Sequence, residues 1–169
     1  MTTFIALLRA VNVGGTGKLP MTELKAMCEA AGFSSVRTYI ASGNVVFDSA
    51  LTEKAVAKKL GASLEEYAGK PVGVMVRTGP EMAAVLVANP FKDAAPNLTF
   101  AVFLDAAPPA DTIDKVRGQQ DEALSLGERE IYVTYPSGSG SSKLNIPAAA
   151  TGTARNMNTI AKLAEMAGA

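Results

Sequence analysis

The chain has no histidine, no tryptophan and a single cysteine, Cys28. Without histidine, the histidine-dependent triads and the usual zinc sites fall away, and one thiol cannot form an internal disulfide. A hard-cation site of carboxylates stays open, but no calcium-loop spacing is present, so no metal and no cofactor is expected. Long apolar runs are missing as well. The strip at 4–8 is cut off by Arg9 and is too short for a secretory leader, and nothing approaches the roughly 20 residues of a membrane span. The expectation is a cytoplasmic protein with no membrane partner. Charge of one sign is also lacking: 16 Lys plus Arg balance 16 Asp plus Glu, which argues against a dedicated nucleic-acid binder. The balance is uneven along the chain. Through Thr78 there are nine basic and six acidic residues, and after it seven and ten, so the halves carry +3 and −3. That asymmetry suits either docking of the halves or tuning of the first half toward anions.

What is present is an ordinary globular composition, 169 residues with 48% hydrophobic and 19% charged. Residues 4–8 read as a buried strand. Pro20 suits a first helical turn, Leu24, Met27, Cys28 and Ala31 recur on one helix face, and Gly32 closes that helix. Cys28 sits on the core stripe and reads as a small buried hydrophobe. Residues 36–41 and 45–47 form two strands around the break at Ser42, Gly43 and Asn44, a hairpin signal. Residues 51–67 are helical, with Val56, Leu60 and Leu64 four apart, and 71–77 give a fourth strand. This order is the split βαβ of a ferredoxin-like plait over residues 1–78. Residues 79–169 resemble a weaker second copy. A capping box at Thr78 and Glu81 opens a helix. A strand at 97–104, a helix at 110–119 and strands at 123–126 and 131–135 follow. Thr153 then caps a terminal helix over 157–166. The fold class is therefore α+β, two plait subdomains with antiparallel sheets and helices on one face, plus a C-terminal helix. No residue-level repeat is visible, so the similarity is one of topology.

The densest polar chemistry follows the first strand: Arg9, Asn12, Gly14, Gly15 and Lys18. A glycine-rich turn can cradle phosphate with backbone N–H groups while lysine supplies charge. The nucleotide-binding P-loop does not fit, because Asn12 and Leu19 stand where glycine and a hydroxyl residue are required. A dinucleotide fingerprint fails on spacing. Antiparallel pairing of the first and third strands should bring this loop beside Ser42 and Asn44, which add hydrogen-bonding groups. The competing reading is simple turn chemistry with a solvated Lys18. Arg155 and Asn156 in the first turn of the terminal helix, with Lys143 on a Ser/Gly-rich lid at 136–142, would complete one cleft if that helix packs back on the first plait. Such a cleft suits a small anionic or phosphorylated ligand, bound or stabilised as charge develops, although no general base is identifiable. Asp48 and Glu23 read as a strand-end and a helix-start charge.

Two other functions compete. An RNA-recognition plait would stack bases on Tyr39 and Phe47, but it lacks the characteristic aromatic run. An assembly module would pair an apolar sheet face bearing Phe100, Phe103 and Tyr132 with the other half or with a second copy in a homo-oligomer.

Three blocks carry a family resemblance: Leu7, Leu8, Arg9, Ala10, Val11, Asn12, Val13, Gly14 and Gly15 with Pro20 and Met21; Tyr39 to Phe47; and Thr153, Ala154, Arg155 and Asn156. In order, they resemble the signature of the domain of unknown function 1697 family across nearly the whole chain. The resemblance implies two α/β-plait subdomains and no established activity. One departure is Met157, where members of the family commonly carry tryptophan after the Arg-Asn pair.

Overall fold

The structure, a computed structural model, describes residues 1–9, 19–40 and 43–168. The chain divides into two compact units, Met1–Met82 with Leu163–Ala169, and Ala83–Lys162.

In the first unit, β1 (Thr2–Leu8) is buried from Phe4 onward and occupies an inner position of the sheet. It pairs antiparallel with β3 (Asn44–Ser49) on one side and β4 (Val74–Thr78) on the other, while β2 (Ser34–Tyr39) pairs with β3. The order β2-β3-β1-β4 is that of the plait. Its crossovers are α1 (Met21–Ala30) and α2 (Glu53–Ala68). Helix α1 buries Leu24 and Cys28, one turn apart. Pro20 stands one position outside the helix as its cap, and its carbonyl accepts from the Glu23 and Leu24 amides at 3.0 and 3.1 Å. In α2, the Thr52 hydroxyl accepts from the Ala55 amide at 3.2 Å, and the Val56, Leu60 and Leu64 stripe points into the core. These stripes cover Phe4, Ala6, Leu8, Val45, Phe47 and Val76, with Phe33 stacked on Phe47 at 4.3 Å. Each fully buried leucine contributes roughly 1.5–3 kcal/mol relative to exposure.

The first strand of the second unit, β5 (Thr99–Phe103), lies between β7 (Glu130–Thr134) and β8 (Thr153–Asn156), with β6 (Ala123–Leu126) outside β7. The order β6-β7-β5-β8 repeats the first sheet's topology. The crossovers do not repeat it. The helix expected at 110–119 is a single 3-10 turn, Ile113–Lys115. Only Ile113 and Val116 could have formed an apolar stripe there, and Ile113 is 44% exposed. The backbone finds other partners instead: Arg117 and Asn145 exchange both amide–carbonyl bonds, at 2.9 and 2.8 Å. Gly118 permits this approach, because its φ is +70° and a side chain there would meet the Lys143 carbonyl oxygen at 2.2 Å. The second crossover is reduced to a 3-10 turn, Pro147–Ala149. Leu144, Ile146, Ala148 and Ala149 cover Val102, Leu104, Ile131 and Val133 where the first unit uses helices.

Two further helices follow the fourth strands: α3 (Gly79–Ala88) after β4 and α4 (Met157–Met166) after β8. The capping box at α3 is present in full. The Thr78 amide donates to Glu81 Oε1 at 2.8 Å, and the Glu81 amide donates to Thr78 Oγ1 at 3.2 Å. At α4 the expectation is corrected: Thr153 lies in strand, and the cap is Asn156, whose Oδ1 accepts from the Thr159 amide at 2.9 Å. The backbone of 153–156 is spent on pairing with β5 and is not available to begin a helix.

Candidate functional site

The end of β1 is held from both sides. The Leu8 amide donates to the Gly43 carbonyl at 2.8 Å and the Arg9 amide to the Gly73 carbonyl at 2.9 Å. The register Leu7↔Asn44 places the start of β3 beside the end of β1, as the plait topology requires. From this point the chain runs into 10–18, so Asn12, Gly14, Gly15 and Lys18 lie outside the described residues, and so does Ser42. Arg9 is exposed, with its aliphatic stem against Gly73. Asn44 is fully buried, and its Nδ2 donates to the Tyr39 carbonyl at 3.0 Å, so the amide shapes the hairpin bend. Within that bend Ile40 has φ +51° and is 50% exposed. A β-branched residue in the left-handed region costs on the order of 1–3 kcal/mol and persists only where its surroundings enforce it, a pattern concentrated at functional sites.

The remaining expected residues belong to the second unit. Arg155 stands on β8, not in the first turn of a helix. Its Nη1 donates to Thr153 Oγ1 at 2.7 Å and to the Ala154 carbonyl at 2.9 Å, and burial pushes its pKa down to about 10. It is charged at neutral pH and has local hydrogen-bonding work. Asn156 is engaged as the cap of α4.

Lys143 is exposed and lines a polar cavity of about 340 Å³ with Asp121, Glu122, Ser137 and Ser142 among its walls. Ser137 donates to Asp121 and Ser142 to Glu122, which fastens the Ser/Gly-rich loop at two points. Glu122 is held below the usual carboxylate range by the Ser142 hydroxyl and then by the Gln120 amide, which donates to it at 2.6 Å. Two adjacent acids opposite a Ser/Gly run were the available sequence signal for this latch.

Aligning the units by register reveals a repeat that composition conceals. Leu7↔Asn44 corresponds to Phe103↔Glu130, and Leu8 donating to Gly43 corresponds to Leu104 donating to Arg129 at 2.9 Å. On the fourth strands, Ile5↔Arg77 then corresponds to Ala101↔Arg155. Arg77 is 2% exposed, and its Nη1 donates to the carbonyl of the preceding residue, Val76, at 2.9 Å, the same bond Arg155 makes to Ala154. The next residues, Thr78 and Asn156, both cap helices. An arginine followed by a capping residue at the end of a strand was the overlooked signal. Arg9 corresponds to Asp105, likewise exposed, so the two units carry opposite charge at the strand end.

Apart from the half-buried Tyr39, the aromatic platforms resolve into packing. Phe47 is fully buried between Phe33 and Phe4 in its own unit's core, which leaves it no face for a base. Phe103 is fully buried, Tyr132 is 2% exposed with its hydroxyl donating to the Val85 carbonyl at 2.8 Å, and Phe100 meets Tyr135 edge-on at 5.6 Å. Burial pushes the Cys28 thiol up to about 12, so it is inert in the folded chain. Among the described residues there is no group of three or more carboxylates and thiols able to hold a metal ion, and no helix long and apolar enough to cross a membrane.

Comparison with known proteins agrees with this architecture. No curated protein matches the chain. The structure of a conserved bacterial protein from Streptococcus pneumoniae is similar, with 25% identity, 98% of each chain covered and a TM-score of 0.80. The model of a protein family of unknown function, DUF1697, matches residues 1–132. With more than half its length matched, the chain belongs to the DUF1697 family.

Proposed function

We propose that the β1 end of the first unit binds a small anionic or phosphorylated ligand. The observation that carries this reading is the pinning of Leu8 and Arg9 by the Gly43 and Gly73 carbonyls, which fixes an exposed arginine at the hairpin edge from which the glycine-rich segment departs. Sequence places Asn12, Gly14, Gly15 and Lys18 within the next nine residues, and Ser42 just before Gly43. Glycine permits close backbone approach to an anion, while arginine and lysine supply charge-assisted hydrogen bonds. Strain at Ile40 supports a functional role for the bend. Asp105 at the matching position of the second unit makes the cationic edge a property of the first unit. Arg155 and Asn156 hydrogen-bond within the second unit, so the site is drawn first around Arg9, Asn12, Gly14, Gly15, Lys18 and Ser42.

A thermal-shift series with phosphate, sulfate, sugar phosphates, nucleotides and small carboxylates tests the reading. A ligand at ten times its dissociation constant adds about 1.4 kcal/mol of stability, a shift of several degrees for a unit of this size. Arg9→Ala should abolish most of that shift. Absence of any anion-dependent shift in the wild-type chain would overturn the assignment.

A further inference from the structure

Gly73 has a feature that its local conformation does not explain. Its φ lies outside the left-handed region, so the backbone does not call for glycine, and it is exposed, so core packing does not either. What a side chain would meet is Arg9: a Cβ at position 73 would lie 3.1 Å from Arg9 Cβ, 3.3 Å from Cδ and 3.8 Å from Cγ. All three nearest atoms belong to that one stem, and the Arg9 amide is bonded to the Gly73 carbonyl at 2.9 Å. The absent side chain therefore leaves the space beside Gly73 to the arginine stem, next to the β1–β4 pair.

We propose that Gly73 is a positioning residue for Arg9, setting the direction in which the guanidinium is presented to an anion. This rests on the anion-site reading above and adds a determinant about 60 residues away in sequence, on the loop leading into β4. A guanidinium recognises a carboxylate or phosphate through paired, directional N–H donors, so tilting the stem misaligns both donors at once. An added Cβ would lie 3.1 Å from Arg9 Cβ, which gives only by a small shift of the paired backbones, and 3.3 Å from Cδ, which gives by swinging the stem aside, and the branched side chain of valine requires more of both. Gly73 itself is exposed, and the nearest atoms to an added Cβ belong to Arg9 and not to the core.

The test titrates inorganic phosphate into wild-type, Gly73→Ala, Gly73→Val, Arg9→Ala and the Arg9→Ala/Gly73→Ala double variant. Melting temperature and the Arg9 Nε–H cross-peak in a heteronuclear NMR spectrum are followed together. The expected result is a Gly73→Ala chain melting within about 2 °C of wild type without phosphate, yet needing about threefold or more phosphate for half-maximal shift, with valine worse than alanine. The double variant should bind no worse than Arg9→Ala alone, because the glycine acts through the arginine. Wild-type binding with an unchanged midpoint in both Gly73 variants overturns the positioning role and leaves the anion site standing. If wild type does not respond to phosphate, the titration uses whichever anion of the thermal-shift series does, and a wild type that responds to none of them overturns the anion site and, with it, the positioning role. Where wild type binds, displacement of the Arg9 Nε–H cross-peak in Gly73→Ala supports the role, and an unmoved peak ends it.

Discussion

The two units share one strand order and differ in what covers it. In the first, α1 and α2 lay leucine stripes over Phe4, Ala6, Leu8 and Phe47. In the second, among the described residues, Val102, Leu104 and Val133 on the matching face are covered by Leu144, Ile146 and neighbouring alanines carried on turns. A plait therefore needs its register more than its helices. Antiparallel pairing and right-handed crossovers specify the order of strands, and a crossover of any form that delivers a few apolar side chains is sufficient. The same contrast holds at the strand ends, where the first unit exposes Arg9 and the second Asp105. Architecture is repeated and charge is not, so the cationic strand end on which the proposed anion site is drawn has no counterpart at Asp105.

The largest test of this contrast compares the covers. Leu60→Ala removes a fully buried leucine from the α2 stripe and should cost about 3 kcal/mol, whereas Ile146→Ala, from the half-buried lid, should cost about 1. Urea unfolding of both variants reads the difference. Equal losses would mean that the turn-covered face is as tightly packed as the helical one.

A smaller test concerns two glycines. Gly152→Ala would push a Cβ to 2.7 Å from Val102 Cγ1 and 2.8 Å from both Leu104 Cδ2 and the Phe103 carbonyl oxygen, and it should cost about 2 kcal/mol. Gly73→Ala meets Arg9 alone, at 3.1 Å from Cβ and 3.3 Å from Cδ on an exposed edge, and should cost about 1 kcal/mol or less. Denaturation midpoints falling together would show that the first unit's edge is as rigid as the second's interior.

The finest distinction lies in titration. Burial pushes the Tyr132 phenol up to about 12, while its first-unit counterpart Val46 has nothing to titrate. Between pH 10 and 12 the unfolded chain releases the phenolic proton and the folded chain keeps it, so rising pH favours unfolding across that window. Tyr132→Phe should lose about 1 kcal/mol at neutral pH with its bond to the Val85 carbonyl and should show less of this alkaline decline. An identical decline in the variant would assign it to other groups.

Sequence and structure agree where periodicity is strong. The α2 spacing of Val56, Leu60 and Leu64 and the reciprocal box of Thr78 and Glu81 were both legible, because each depends on neighbours within one helical turn. The helix read at 110–119 failed because its backbone groups pair with Asn145, a partner no local window contains. Thr153 was misread for the same reason: a threonine before a helical stripe looks like a cap unless β5 is known to lie beside it. Of the candidate site, the neighbourhood of Arg9 and the Asn44 hairpin followed from topology, whereas the role of Gly73 depends on a contact between side chain and empty space.

The joint that ends each copy has a mechanical consequence. Thr78 and Asn156 are the last residues of their strands and the caps of the helices that follow, so no spacer separates sheet from helix. Each helix is thereby phase-locked to its strand. Adding or removing one residue at either joint would rotate the following helix by about 100° and turn its buried stripe outward, so these joints accept changes of side chain far more readily than changes of length.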